Sequence, residues 1–227
     1  DQWGNMTTGL ELIRRKHGKE SYALSAPLMT DGAGNKLGKT EKGAIFLDPK
    51  LTSPFRFYQF WLGQADADAP KFLRYLTLLK DEYIAELEGQ TKTQPEARSA
   101  QRVLAHELTR LVHGEQIALA SENASRVLFS KDPKVLDSLS AEGLELLAQE
   151  VPSSKFAGQP VGILDLLVET KLCASKGEAK RHLKSNAVTI NREKVSDDQT
   201  QVTLNTFGQR RMLLLGLGKS NLHLLLK

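Results

Sequence analysis

The apolar residues of this chain change their spacing partway along it, and that change limits the folds open to it. From Ser53 they recur every three or four positions. Phe55, Phe57–Tyr58 and Trp61–Leu62 follow a Ser53-Pro54 pair suited to an N-cap and first turn, and Ala100, Val103–Leu104, Leu108 and Leu111–Val112 lead to Gly114. Beyond Pro160 the apolar residues also gather in runs of strand length: Val188-Thr189-Ile190, Met212–Leu217 and Leu224–Leu226. A helical stretch followed by one that mixes helices and strands predicts an α+β chain of more than one domain.

Local signals fill in the order of elements. Met6–His17 predicts a helix that stops at Gly18, after the basic run Arg14-Arg15-Lys16. Tyr22–Met29, which contains Pro27, and Ala44–Leu47 read as strand-like pieces on either side of a glycine-rich turn. Helices are expected from Ser53, from Pro70 (with Phe72–Leu73, Leu76 and Leu79 on one face), over Asp81–Leu87 and Pro95–His113, and around Gln116–Leu128. Phe55, Tyr58 and Trp61 are expected in the core. Gln149–Pro160 reads as a linker. After it a helix Ile163–Thr170, a basic helix Lys176–Asn186 and the strands predict two helices packed on a small sheet. The divisions fall at 1–50, 51–152 and 153–227.

Composition narrows the function classes. Residues 161–227 hold 11 Lys+Arg against 6 Asp+Glu, whereas residues 1–160 hold 20 against 21, so the net charge of +4 belongs to the last third. Such an asymmetry points to a module that binds a polyanion. No run of eighteen apolar residues occurs, which excludes an encoded membrane helix. The single cysteine, Cys173, excludes an internal disulfide and a Cys-rich zinc site. The five histidines are dispersed, and no metal site is expected. The opening Asp1-Gln2-Trp3-Gly4-Asn5 has neither an initiator Met nor a signal pattern, so the chain reads as part of something longer.

Lys36-Leu37-Gly38-Lys39-Thr40 lies between glycines and offers two ammonium groups and a hydroxyl. A P-loop would need a glycine at position 33, which is Ala33, and a helix after Thr40, where Glu41-Lys42-Gly43 leads to a strand-like piece. A pliable turn that closes on a polyphosphate while its charge changes fits better, because interactions made chiefly in the transition state are the ones that accelerate a reaction. A solvated surface turn is the bland alternative.

That loop resembles the KMSKS signature of class I aminoacyl-tRNA synthetases, in the KFGKT form of the tyrosyl enzymes. DQWGN at 1–5, GLELIRR, TSPFRFYQFW at 52–61 and LTRLVHG at 108–114 are similar to segments of the same bacterial or organellar family, in the same order. The stretch from about Gly162 to Lys194 looks like a small RNA-binding module shared with a ribosomal protein. The resemblance implies the tail of a class I Rossmann-like catalytic domain (1–50), an all-helical anticodon-binding domain (51–152) and a basic α+β RNA-binding module (153–227). It implies tyrosine activation by ATP, with Mg2+ accompanying the nucleotide, and transfer of the tyrosyl group to tRNA(Tyr). Lys36, Lys39 and Thr40 would grip the β- and γ-phosphates, with Lys39 foremost, and Asp1 and Gln2 would face the adenylate. The intact enzyme would be a cytoplasmic homodimer, or one of the mitochondrial matrix. The family's His-x-Gly-His motif has no counterpart here, so this chain alone is expected to be inactive. A non-catalytic RNA-binding protein derived from a synthetase is the alternative.

In the last third Lys176, Lys180 and Lys184 fall at i, i+4 and i+8 with Arg181 beside them, a stripe suited to a phosphate backbone. By the resemblance Ser175 caps this helix, and Arg192 and Lys194 add charge for RNA. Arg192 stands where related modules carry the glycine of an Asn-Gly turn, which places a two-residue hairpin in doubt.

Overall fold

The computed structural model describes residues 2–26, 28–30, 44–130, 132–218 and 221–227. It divides at Ala44/Ile45 into two compact units.

In the first unit helix α1 spans Gln2–His17, beginning four residues before the apolar pattern does, and buries none of its side chains. Its C-terminal arginines fold back on Glu11, which accepts from Arg14 at 2.7 and 2.8 Å and from Arg15 at 2.6 Å. Those bonds, Arg14 first, hold the Glu11 carboxyl well below the usual carboxylate range. The strand-like reading of the flanking segments does not hold: Tyr22–Ala26, Leu28–Met29 and Ala44–Leu47 form no strand. β-favouring residues become strand only when a neighbour takes their backbone hydrogen bonds, and neither segment lies in a ladder among the described residues.

The second unit opens with helices α2 (Pro54–Leu62), α3 (Ala69–Leu76), α4 (Asp81–Thr93), α5 (Ser99–His113), α6 (Glu115–Phe129) and α7 (Ala141–Glu150). Ser53 caps α2 through Arg56 N, and Pro54 occupies the first helical position, where a missing N–H costs nothing. The α2 aromatics face inward as expected. Phe55, Tyr58 and Trp61 are all under a tenth exposed, and Trp61 meets the fully buried Phe72 of α3 edge-on, ring centres 5.8 Å apart. Each such side chain contributes about 2 kcal/mol or more by leaving water. Glu150, at the end of α7, accepts from Ser53 Oγ at 2.6 Å and Arg56 Nε at 2.8 Å, fastening the two ends of this helical layer together.

The rest adds strands β1 (Ser153–Lys155) and β2 (Val161–Gly162), helices α8 (Ile163–Glu169) and α9 (Lys176–Lys184), strands β3 (Val188–Ile190), β4 (Glu193–Lys194) and β5 (Gln201–Val202), the short helix α10 (Leu204–Phe207), and strands β6 (Met212–Leu217) and β7 (Asn221–Leu226). The main sheet has the order β1-β7-β6-β3-β4, and β2 pairs with β5 separately. The expected linker is partly strand: Ser153, Ser154 and Lys155 run parallel to Leu224, Leu225 and Leu226. Polar residues suit this position because β1 is an edge strand and needs no apolar pattern.

Every residue of β6 is buried, which is how a strand covered on both faces reads. Leu213, Leu215 and Leu217 pack with Ile163 and Leu167 of α8, Leu183 of α9 and Phe207 of α10. Met212 and Leu214, with Leu224 of β7, pack instead with Ala124 and Val127 of α6, Leu147 of α7 and Phe55 of α2. The sheet is thus a floor shared by the helical layer and by α8–α10, and the compact unit runs through residue 152 without a division.

Candidate nucleic-acid interface

Helix α9 starts where Ser175 Oγ accepts from Glu178 N at 3.3 Å and the Glu178 carboxylate accepts from Ala174 N at 2.7 Å, a reciprocal cap. Ala179 and Leu183 face the core, which leaves Lys176, Lys180, Arg181 and Lys184 exposed on the other side. The helical period therefore makes the stripe, and the apolar pair orients it. Two of its lysines are matched by carboxylates from other segments. Lys176 pairs with Asp165 of α8, and Lys180 pairs with Asp198 at 2.7 Å. The Lys180 ammonium holds the Asp198 carboxyl below its ordinary range and is itself raised by it. Among the described residues Arg181, Lys184 and Lys194 have no ion-pair partner, and all three are exposed. The free charge of the α9 face thus lies toward the end of the helix, whereas Lys194 pairs with Thr189, between the core residues Val188 and Ile190, and projects from the other side of the sheet.

The hairpin that the sequence left in doubt forms. Ile190 pairs with Glu193 across the two-residue loop Asn191-Arg192, whose residues both take positive φ, 50° and 70°, as the turn favoured by the strand twist requires. A side chain at positive φ costs roughly 1–2 kcal/mol. Asn191 offsets this locally, donating its N–H to Leu214 O at 2.8 Å and accepting from Leu214 N on Oδ1 at 2.9 Å. The expectation that Arg192 presents its charge to RNA is not what the geometry gives. Its Nη2 donates to Val127 O at 2.8 Å and Leu128 O at 2.5 Å, and the side chain is half-buried, with its pKa pushed down by that burial. The carbonyls of a helix's last turn lack partners within the helix and carry its negative end, so they draw a cation inward.

A second surface rich in arginine lies in the helical layer. A cleft of about 780 Å³ is lined by Arg98, Arg102 and Arg126, by the carboxylates Glu122 and Asp132, and by Phe129 and Ser130 among others. Arg98 is partly committed, donating to Leu62 O at 2.6 Å and Gln64 O at 3.2 Å at the end of α2. Arg102 and Arg126 are exposed and have no ion-pair partner among the described residues. Phe129 is 71% exposed, an aromatic face open beside two guanidinium groups. Sequence reasoning missed this cleft because its cations come from the turn before α5, from α5 and from α6, where each looks like an ordinary solvated charge.

Gln2 sits exposed in the first turn of α1. Asp1, Lys36, Lys39 and Thr40 lie outside the described residues. No described helix is long and apolar enough to cross a membrane.

Comparison with known proteins gives two matches in chain order. Residues 1–130 match the family described as tRNA synthetases class I (W and Y), and residues 143–225 match a tyrosine–tRNA ligase SYY-like C-terminal domain. A tyrosine–tRNA ligase of Roseiflexus castenholzii is 43% identical over 230 residues, covering 99% of this chain and 54% of its own length. Tyrosine–tRNA ligase 1 of Vibrio parahaemolyticus is 43% identical over 216 residues, 95% of this chain and 51% of its own. A tyrosine–tRNA ligase of Salmonella newport is 44% identical over 199 residues, 88% of this chain and 46% of its own. The chain therefore spans about half the length of these curated relatives.

Proposed function

Because this chain belongs to the class I tRNA synthetases (W and Y), we propose that it forms part of a tyrosine–tRNA ligase and contributes the phosphate-gripping loop and the tRNA-binding surfaces. The observation that carries this reading is the succession of the two family matches along one chain, the second of which coincides with the basic module. In the proposed reaction a tyrosine carboxylate oxygen bonds to the α-phosphorus of ATP, supplied with its Mg2+, while the bond to the bridging oxygen breaks and pyrophosphate leaves. The terminal ribose hydroxyl of tRNA(Tyr) then attacks the tyrosyl carbonyl, and AMP departs. No bond to the protein is needed, so catalysis rests on positioning and on stabilising charge.

Residues 1–50 take the role of the end of the catalytic domain. Within them Lys36, Lys39 and Thr40 are proposed to hold the β- and γ-phosphates as charge moves onto the leaving pyrophosphate, and Asp1 and Gln2 to face the adenylate. Residues 51–152 are proposed to meet the anticodon arm, with the cleft of Arg98, Arg102 and Arg126 as the surface best suited to phosphate and base. Residues 153–227 add the α9 face, where Ser175 sets the helix start and Lys176, Lys180, Arg181 and Lys184 supply charge, and Lys194 of β4 adds a further cation to the module. Structured RNA recognised by shape suits such a face better than stacked single strands do.

Lys39→Ala in the full-length protein tests the reading. Pyrophosphate exchange into ATP should slow by roughly two to three orders of magnitude, the scale of losing one preorganised charge donor, with tyrosine affinity little changed. An unchanged exchange rate removes the loop from the chemistry, and no exchange in the unmutated full-length protein favours a non-catalytic RNA-binding protein.

A further inference from the structure

Resting on the RNA-binding reading above, we propose that Arg192 is a positioning residue: through the end of α6 it holds the basic module at one setting relative to the arginine-lined cleft, so that tRNA meets both charged surfaces preassembled. Turn chemistry gives no reason for an arginine here. The second loop residue has φ 70°, where glycine is the unstrained choice. What the arginine adds is its reach, since Nη2 spans from the β3–β4 loop to the carbonyls of Val127 and Leu128, 65 and 64 residues away in sequence.

Both ends of that link are tied to RNA-facing elements. On the sheet side, Asn191 is bonded in both directions to Leu214 of β6. β3 pairs with the same strand, and Leu183 of α9 packs in the core beneath it. Movement of the hairpin would therefore carry the lysine stripe with it. On the helical side, the residues that follow the bonded carbonyls are Phe129 and Ser130, which line the cleft, and Arg126 lies one turn back. Ser130 N donates to Arg126 O at 2.8 Å, so the final turn is intact where Arg192 seals it. The guanidinium thus acts between the two surfaces and not on either. Surfaces fixed in advance spare a ligand the entropy of arranging them.

The test uses the full chain with a tRNA(Tyr) transcript, and compares Arg192→Gly and Arg192→Lys with wild type. Glycine keeps the turn and removes the link. Binding should weaken about 5- to 10-fold, and the slope of log affinity against log salt should stay unchanged, because no phosphate contact is lost. Lysine, which retains a cation of similar reach, should recover part of the affinity. Amide exchange at Phe129 and Ser130 should quicken at least 5-fold in Arg192→Gly, while Leu214 stays protected. A slope that falls by about 0.9 marks Arg192 as a direct phosphate ligand and overturns the proposal; so does unchanged affinity. If wild type binds no tRNA, the function proposed above fails. The link is then judged by exchange alone, and unchanged exchange at the end of α6 overturns it.

Discussion

Removing a carboxylate from the α9 face should strengthen RNA binding, and the amount follows from the ion pairs. Lys180 lies 2.7 Å from Asp198, so the pair presents almost no net charge to an approaching phosphate. Arg181 and Lys184 carry the face without such partners. Asp198→Asn keeps the side-chain size and frees the Lys180 ammonium, adding one cation to those two. One more neutralised phosphate steepens the slope of log affinity against log salt by about 0.9. Between 50 and 200 mM salt, a fourfold change, that is about a 3.5-fold additional loss of affinity, and binding at the lower salt should be correspondingly tighter than wild type. Fluorescence anisotropy of labelled tRNA(Tyr) across a salt series measures both quantities, and Lys184→Ala should shift the slope by the same amount in the opposite sense. Asp198 is acidified by Lys180, so the pair stays ionised from pH 5 to 8 and the comparison does not depend on buffer within that window. If Asp198→Asn alters neither slope nor affinity while the protein stays folded, α9 does not face the RNA and the assignment of this surface is refuted.

Two further outcomes concern stability. Gly216 of β6 stands opposite Thr189 of β3, and a methyl group there would overlap Thr189 Oγ1. Gly216→Ala should therefore cost about 1–3 kcal/mol in chemical denaturation, and Thr189→Ala in the same chain should recover most of it; a neutral single variant refutes the overlap. His113 and His223 are both held below the usual imidazole range by burial. The unfolded chain then binds more protons than the folded one as pH falls through about 6.5. Thermal stability should be flat above pH 7 and decline toward pH 5.5, with a shallower decline in His223→Gln, and a midpoint that rises on acidification contradicts this.

Much of the architecture was legible in sequence because helical and strand periods act over neighbouring residues. The α2 aromatics at helical spacing lie in the core, and the continuous apolar run Met212–Leu217 is a buried strand. The lysine stripe was legible for the same reason, since a 3.6-residue period fixes which side chains share a face. What lay hidden depends on contacts between distant segments. Ser153-Ser154-Lys155 shows no strand pattern because its partner is β7, some seventy residues on. The carboxylates facing Lys176 and Lys180 come from α8 and from the loop before β5, so a count of charges overstated the stripe. Arg192 read as one more surface cation because nothing in its neighbourhood announces the end of α6.

The two-sided burial of β6 bears on how this protein would come apart. A strand whose alternate side chains serve different helical groups has no plane along which those groups can be separated without baring leucines on one of them. Denaturation should accordingly follow a single sigmoid from Ile45 onward. Any attempt to express the basic third by itself should yield a sticky, self-associating product instead of a tidy RNA-binding miniature.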